Sequence, residues 1–410
     1  MDLSYRCPNC GYKISSKTPR LSPECPKCSY LMEDGLGEED MEEFSKIIDA
    51  IGESRVNTIT KYKNVIFLDL GSSAIDYDNI DDLLSGLGYD VYLRERDGRY
   101  HAFLLNKLRE EGGRFSKPYV YIGLFILTVL STLYAGYSLS LPLVEEGLMD
   151  NAWNGALSFS LGLVAILGLH EMGHKIQSIR SGISSTWPYF IPMPFLPLGT
   201  LGALIKIKSP IPTRNDAVYL GASGPLVGLM VAIPMVLVGM RMSYIVPASS
   251  LGEGGVSLGT SLLFMLLSAL SGVSVPDGMA LWIHPLAFAG WVGLFVTMLN
   301  LLPAGQLDGG HIIRAVFGEK GHKKISEGMV RVLLAAGFIG ILSEYGVLQL
   351  QQFFWSGWLI WGVFVYFITK GGHPGPLNEL EPISRPAKII AALAMIAFVI
   401  CFVPMPIVIT

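Results

Sequence analysis

The sequence predicts a polytopic α-helical membrane protein of about seven spans that carries a soluble N-terminal head. Three observations predict it. Of 410 residues, 51% are hydrophobic and only 16% charged, with a mean hydropathy of +0.46. Soluble domains sit nearer a quarter charged. The charge is also unevenly divided: residues 1–113 hold 14 Lys/Arg and 21 Asp/Glu, a net of −7, and residues 114–410 a net of +3. Long apolar stretches begin only at Tyr119. No fixed period recurs and apolar content is high, which excludes a fibrous repeat and a disordered chain.

The head begins with Cys7-Pro-Asn-Cys10 and Cys25-Pro-Lys-Cys28, two CxxC pairs separated by 14 residues. Two such knuckles bring four thiolates together tetrahedrally on one Zn²⁺, and a fragment of this size needs the metal to fold. The other reading is a pair of disulfides in a secreted mini-domain. The head shows no basic-then-apolar leader, which favours the ribbon. Residues 1–33 are therefore expected to be a zinc ribbon holding one structural Zn²⁺. Their net charge of +2 and the acidic run from Glu38 to Glu43 argue against a nucleic-acid partner. Residues 34–113 read as a small α+β cytoplasmic domain. A helix is expected over 41–51, a strand over 65–70, a helix over 76–87, and a hairpin over 89–105 turning at Asp97-Gly98.

In the body, 114–410, apolar stretches run over 118–140, 153–174, 217–240, 281–302, 329–346, 353–369 and 387–404. Each is long enough to cross a core of about 30 Å. The shorter stretch 258–272 is expected to be re-entrant or interfacial. With the head on the cytoplasmic side, fifteen of the sixteen body cations fall on the inner face, and Arg241 alone falls outside. The expected location is an integral, multi-pass membrane protein with a cytoplasmic N-terminus, in the cell membrane if prokaryotic. Its partners are then the lipid bilayer and whatever the body acts upon.

The second stretch carries His170-Glu171-x-x-His174. Spacing i, i+4 puts both imidazoles on one helix face, where they can share a Zn²⁺ with Glu171 beside it. Glu171 is the sole Asp, Glu, Lys or Arg between Asp150 and Lys175, and ionisable groups within a span are costly and by default functional. The bland alternative is a hydrogen-bonded cluster for helix packing. Two imidazoles and a water leave a tetrahedral site one ligand short. Asn300-x-x-Pro303-x-x-x-Leu307-Asp308-Gly309 supplies a candidate at the cytoplasmic end of a later span. On the residues alone, Asp308 is either that ligand or a cap.

Together these motifs resemble the site-2 protease family of intramembrane zinc metalloproteases, over a core of about 118–320. The stretch Phe195 to Lys206 and Gly221-Ala-Ser-Gly224-Pro225 are similar to the plant-chloroplast and prokaryotic branch, related to the gravitropism-deficient, yellow-green proteins. The resemblance implies one catalytic Zn²⁺ on His170, His174 and Asp308, Glu171 as general base, and Asn300 near the substrate or oxyanion. It implies a transmembrane protein as substrate and cleavage of peptide bonds in or near its helix. From the residues alone, Asn300 equally caps the break before Pro303.

Gly199 to Lys208 alternates as an extended edge among prolines, so Gly199 and Gly202 are candidates for contact with an opened substrate; the bland reading is a proline-bent loop. Gly221, Gly224 and Gly228 suit close helix packing. His311 is read as an interface histidine or a neighbour of the ligands, His284 as structural and Cys401 as core. Two other classes remain: a metal transporter passing ions along these ligands, and a non-catalytic membrane scaffold. A transporter is expected to show repeated halves, which the sequence lacks.

Overall fold

The structure is a computed structural model that describes residues 3–6, 13–16, 38–62, 65–72, 77–96, 98–106, 117–251, 256–348, 350 and 353–409. Cys7, Cys10, Cys25 and Cys28 lie outside the described residues. The chain divides into two compact units.

The first unit comprises Met1–Glu111 with the later segments Pro210–Arg214 and Pro376–Pro382. Strands β1 (Leu3–Arg6) and β2 (Lys13–Ser16) pair antiparallel. Then follow α1 (Glu38–Ile51), β3 (Thr58–Tyr62), β4 (Val65–Gly71), α2 (Tyr77–Gly86), β5 (Tyr89–Arg96) and β6 (Arg99–Asn106). The four strands form one antiparallel sheet in the order β3-β4-β6-β5. The strands alternate, so that Ile66, Leu68, Val91, Leu93 and Leu104 bury one face. Helix α1 covers it with Phe44, Ile47, Ile48 and Ile51, the i, i+3, i+4, i+7 stripe of an amphipathic helix. The hairpin expected over 89–105 is present, with Gly98 at φ 73° where a tight turn needs the left-handed region. Strand β3 was not foreseen, because its Thr-Ile-Thr-Lys-Tyr holds one aliphatic residue. At the outer edge of the sheet, Leu93 N–H donates to the Leu377 carbonyl (2.9 Å), and Arg94 Nε pairs with Glu379 at 3.2 Å.

The second unit holds the apolar helices. Helix α3 (Pro118–Glu145) starts on proline, and α4 (Ala152–Arg180) is capped by Asn151, whose Oδ1 accepts from Trp153 N–H at 2.9 Å. A short antiparallel pair follows, β7 (Tyr189–Pro192) with β8 (Thr200–Leu204). Then come α5 (Arg214–Arg241), β9 (Tyr244–Pro247), β10 (Val256–Leu258), α6 (Leu262–Leu270), β11 (Met279–Trp282) and α7 (Pro285–Asn300). Helices α8 (Asp308–Glu344), α9 (Gly357–Lys370) and α10 (Arg385–Cys401) and strand β12 (Ile407–Ile409) complete it.

Among the described residues, four helices are long and apolar enough to cross a membrane: α3, α4, α5 and α8, of 28, 29, 28 and 37 residues. The seven full-length spans expected are thus corrected in extent. The stretch 281–302 is split, because Met279–Trp282 pairs with Pro247–Tyr244 as strands and Pro285 starts a 16-residue helix. Helices α9 and α10 have 14 and 17 residues. The stretch 329–346 belongs to the much longer α8, which kinks at Gly318, where φ is 68°. Residues 258–272 hold the end of β10 and the 9-residue α6, a helix too short at about 1.5 Å per residue to cross. Cys401 is fully buried, and His284 caps α7 through Nδ1, which accepts from Leu286 N–H at 3.1 Å; both are the structural roles expected.

The sheet unit yields a direct test. Leu104 is fully buried, and removing a buried leucine's methyls costs about 2–5 kcal/mol. Leu104→Ala should speed amide exchange across β4 to β6 in the intact chain while the α4 amides keep their rates, measured by hydrogen exchange with mass spectrometry.

Candidate metal centre

Helix α4 places His170 and His174 one turn apart, with exposures of 4% and 6%, and Glu171 between them at 6%. Asp308 arrives from the start of α8. Its Oδ2 lies 3.4 Å from His170 Nε2 and 3.2 Å from His174 Nε2, and the two Nε2 atoms are 3.2 Å apart. Metal arms of 2.0–2.1 Å at the tetrahedral angle set ligand atoms about 3.3–3.4 Å apart. The three separations therefore fit a zinc ion without rearrangement. Among the described residues, this is the group of three His, Cys, Asp or Glu ligands whose atoms lie within 4.8 Å of one another. The donor set, two imidazoles and a carboxylate, also suits Zn²⁺.

The surroundings set the ligands' orientation. The Leu220 carbonyl lies 2.8 Å from His174 Nδ1. A carbonyl only accepts, so the proton sits on Nδ1 and the Nε2 lone pair faces the cluster. Glu171 Oε1 is 4.0 Å from His170 Nε2, close to the ligands without displacing one. The backbone amide of Ile205, just past β8, donates toward the Glu171 carboxylate. Asn300, the last residue of α7, brings Nδ2 to 3.3 Å from His170 Nε2. The sequence-selected His170, Glu171, His174, Asn300 and Asp308 thus converge.

Gly199 and Gly202 are placed differently. Gly199, at φ 73°, is buried against α3, and its carbonyl accepts from Ser131 Oγ at 2.6 Å. Gly202 has open space where a Cβ would stand. It belongs to β8, whose even-numbered neighbour Lys206 turns its N–H toward Thr186 Oγ1 (2.9 Å), whereas Ile205 turns its own toward Glu171.

The glycines of α5 do more than the packing expected of them. A Cβ on Gly224 would overlap the His174 imidazole at Nε2, the nitrogen that faces the ligand cluster. On Gly221 it would stand 2.5 Å from the Asp308 carbonyl, and on Gly228 3.1 Å from His170 Nδ1. One glycine row therefore backs all three ligands. The sequence signal was the Gly221, Gly224, Gly228 spacing on one helix face, which only the α4 crossing turns into a site feature. Gly309 and Gly310 likewise leave room for the carbonyls of Leu301 and Gly305, which a Cβ at either would overlap.

A helical chain with four membrane-length helices and a buried HExxH pair closed by an aspartate defines the class: a membrane-type protein with a zinc-metalloprotease ligand set. Comparison with known proteins agrees. The family model described as peptidase family M50 matches residues 158–343. The probable zinc metalloprotease EGY1, chloroplastic, of Arabidopsis thaliana is 29% identical over 259 residues, covering 61% of this chain and 43% of its own. The probable zinc metalloprotease EGY2, chloroplastic, of Oryza sativa subsp. indica is 28% identical over 272 residues, covering 64% and 46%. The chain spans less than half the length of these curated relatives. No solved structure matches it. The part of the chain that matches peptidase family M50 holds His170, Glu171, His174, Asn300 and Asp308.

Gly224→Ala should lower zinc affinity at least as much as the loss of a neighbouring support, about 10- to 100-fold, with helix content unchanged. Metal titration against a chelator measures it. Wild-type affinity in that variant would mean that His174 has another place to go.

Proposed function

We propose that the chain is a zinc-dependent endopeptidase that hydrolyses peptide bonds in or near the transmembrane helices of membrane-protein substrates. The observation that carries the reading is Glu171, buried in a membrane-length helix between two histidines whose Nε2 atoms lie 3.2–3.4 Å from Asp308 Oδ2. Zn²⁺ on His170, His174 and Asp308 would supply a Lewis acid for the scissile carbonyl and lower the pKa of water. Glu171 takes the proton of the attacking water and passes it to the leaving amine. The Leu220 carbonyl holds His174 in the tautomer that leaves Nε2 free. Asn300, whose Nδ2 lies 3.3 Å from His170 Nε2, offers its amide to the substrate carbonyl.

A helical substrate hides its peptide bonds, so it must open locally. Strand β8 offers a place to hold it. One edge is taken by β7. The Ile205 N–H faces Glu171, and strand alternation gives Ala203 the same direction, ahead of the irregularity at Gly202. We assign that edge, with Gly202 beside it, to backbone pairing with the opened segment. The distribution of cations supports a cytoplasmic N-terminal head in a membrane of the cell, and the two CxxC pairs support a structural zinc in it. A transport reading asks for ligands repeated along a path. Among the described residues the His170, His174 and Asp308 group stands alone.

The test is Glu171→Gln with zinc content measured beside cleavage of a model membrane helix. Zinc should stay while cleavage falls about 10²- to 10⁴-fold, the range for a general base; unchanged cleavage would falsify the mechanism. Ala203→Pro removes an edge donor while leaving the β7 pairing side alone. It should weaken substrate use about tenfold, read as a raised KM, and keep zinc content; an unaltered KM removes β8 from substrate binding.

A further inference from the structure

The loop between α7 and α8 delivers Asp308, and its own supports come from residues far along the chain. Gly305, at φ 57°, is gripped from the second half of α8. Its carbonyl is 2.9 Å from His322 Nε2, and its N–H donates to Ser326 Oγ at 3.2 Å. A Cβ on Gly305 would stand 2.8 Å from Ile368 Cγ2, at the end of α9. Gln306 Nε2 donates to the Gly372 carbonyl at 2.9 Å. Helix α9 and residues 371–375 all follow the family-matched region, which ends at 343.

His373 sits at the centre of this brace. Its ring lies edge-on to His311 at 4.7 Å and to His322 at 5.2 Å between centroids. The Gly375 N–H donates to His373 Nδ1 at 3.0 Å, and an amide N–H can only donate. The proton of the neutral ring is therefore on Nε2, which donates to His311 Nδ1 at 3.0 Å. Burial, with His311, His322 and Arg314 nearby, pushes His373 down to about 2, so the ring is neutral and the bond keeps its direction. His311 in turn is in the first turn of α8, where its N–H donates to the Leu307 carbonyl at 3.0 Å, with Asp308 between them in sequence.

We propose that His373 is a positioning residue for the metal centre: through His311 it fixes the first turn of α8, and with it the direction of the Asp308 carboxylate. The inference rests on the zinc-site reading above. It makes the segment after α9 part of the centre's outer support, although that segment contributes no ligand.

Three variants of the full chain separate this from a loop that merely folds. His373→Asn keeps an acceptor where Nδ1 stood, for Gly375 N–H, and loses the donor to His311. His373→Gln places an amide N–H where Nε2 stood. His373→Ala loses both. Zinc affinity by chelator competition and the visible spectrum of the cobalt(II)-loaded chain are the readouts, and neither depends on a substrate. His373→Ala and His373→Asn should lose about 10-fold or more in affinity, as outer-shell partners do, with a changed cobalt spectrum. His373→Gln should recover most of both. Wild-type affinity and spectrum in all three variants overturn the proposal, and so does equal loss in His373→Gln and His373→Asn. Glu171→Gln run beside them keeps wild-type affinity; if it still cleaves, the peptidase reading falls while the His373 result stands.

Discussion

Three helices meet at the ligand cluster through glycines, and the geometry of the site depends on that. Where α4 crosses α5, a Cβ on Gly173 would stand 2.7 Å from the Ser223 carbonyl, and one on Gly224 would fall on His174. Where α5 meets the start of α8, Gly221 faces the Asp308 carbonyl. Apolar helices in lipid gain little from hiding apolar surface from one another, so close packing of small residues holds them together. Here the same small residues set where two imidazoles and a carboxylate point. The ligand separations of 3.2–3.4 Å therefore follow from backbone contact, which is stiff, rather than from flexible side chains.

A second constraint acts on the third ligand. Histidines one turn apart on a regular helix need no help to face one way, but Asp308 comes from a chain reversal. The reversal spans only residues 301–307, between the end of α7 and the start of α8. It is tight enough that Gly309 and Gly310 face carbonyls of the same turn. Such a turn presents its backbone groups to the interior, and buried backbone groups need partners. His322 and Ser326 supply them for Gly305. The Asn300-to-His311 motif thus reads as one device: an amide at the end of one helix, a strapped turn, and a carboxylate opening the next.

How much of this was legible follows the range of the interactions. The pair His170 and His174, with Glu171, is a local pattern on one helix, and the 3.6-residue period alone places it. Asp308 needed the third-ligand argument and a family resemblance, since nothing local tells a ligand from a cap. In the head, the strand over 65–70 was read from its apolar run and the hairpin over 89–105 from the Asp97-Gly98 turn, whereas β3 escaped because its Thr-Ile-Thr-Lys-Tyr holds one aliphatic residue. Gly224 was read as packing, because its partner is His174 on another helix and a glycine's function lies in what it omits. His373 offered no signal at all. Its partners His311 and His322 lie 62 and 51 positions earlier, and only the folded chain brings the three rings together. Helix ends were the other weak point. Apolarity ran through Met279–Trp282, but backbone pairing with β9 made it a strand before Pro285 could start α7.

Charge balance gives an independent reason to read the cluster as a one-metal centre. Glu171 and Asp308 are two carboxylates within one buried neighbourhood, with Glu171 Oε1 4.0 Å from His170 Nε2 and Asp308 Oδ2 3.4 Å from the same atom. Each buried ion carries a desolvation penalty of several kcal/mol even after relaxation, roughly, and like charges add repulsion to it. Helix packing alone gives no reason to collect both there. A dication held by His170, His174 and Asp308 would cancel both charges and would supply a Lewis acid beside Glu171. Asn300 Nδ2 and the Glu171 carboxylate are the polar groups placed beside the cluster. A purely structural zinc site is closed by a fourth protein ligand. Among the described residues the cluster offers three protein donors, His170, His174 and Asp308, with Glu171 beside them rather than among them.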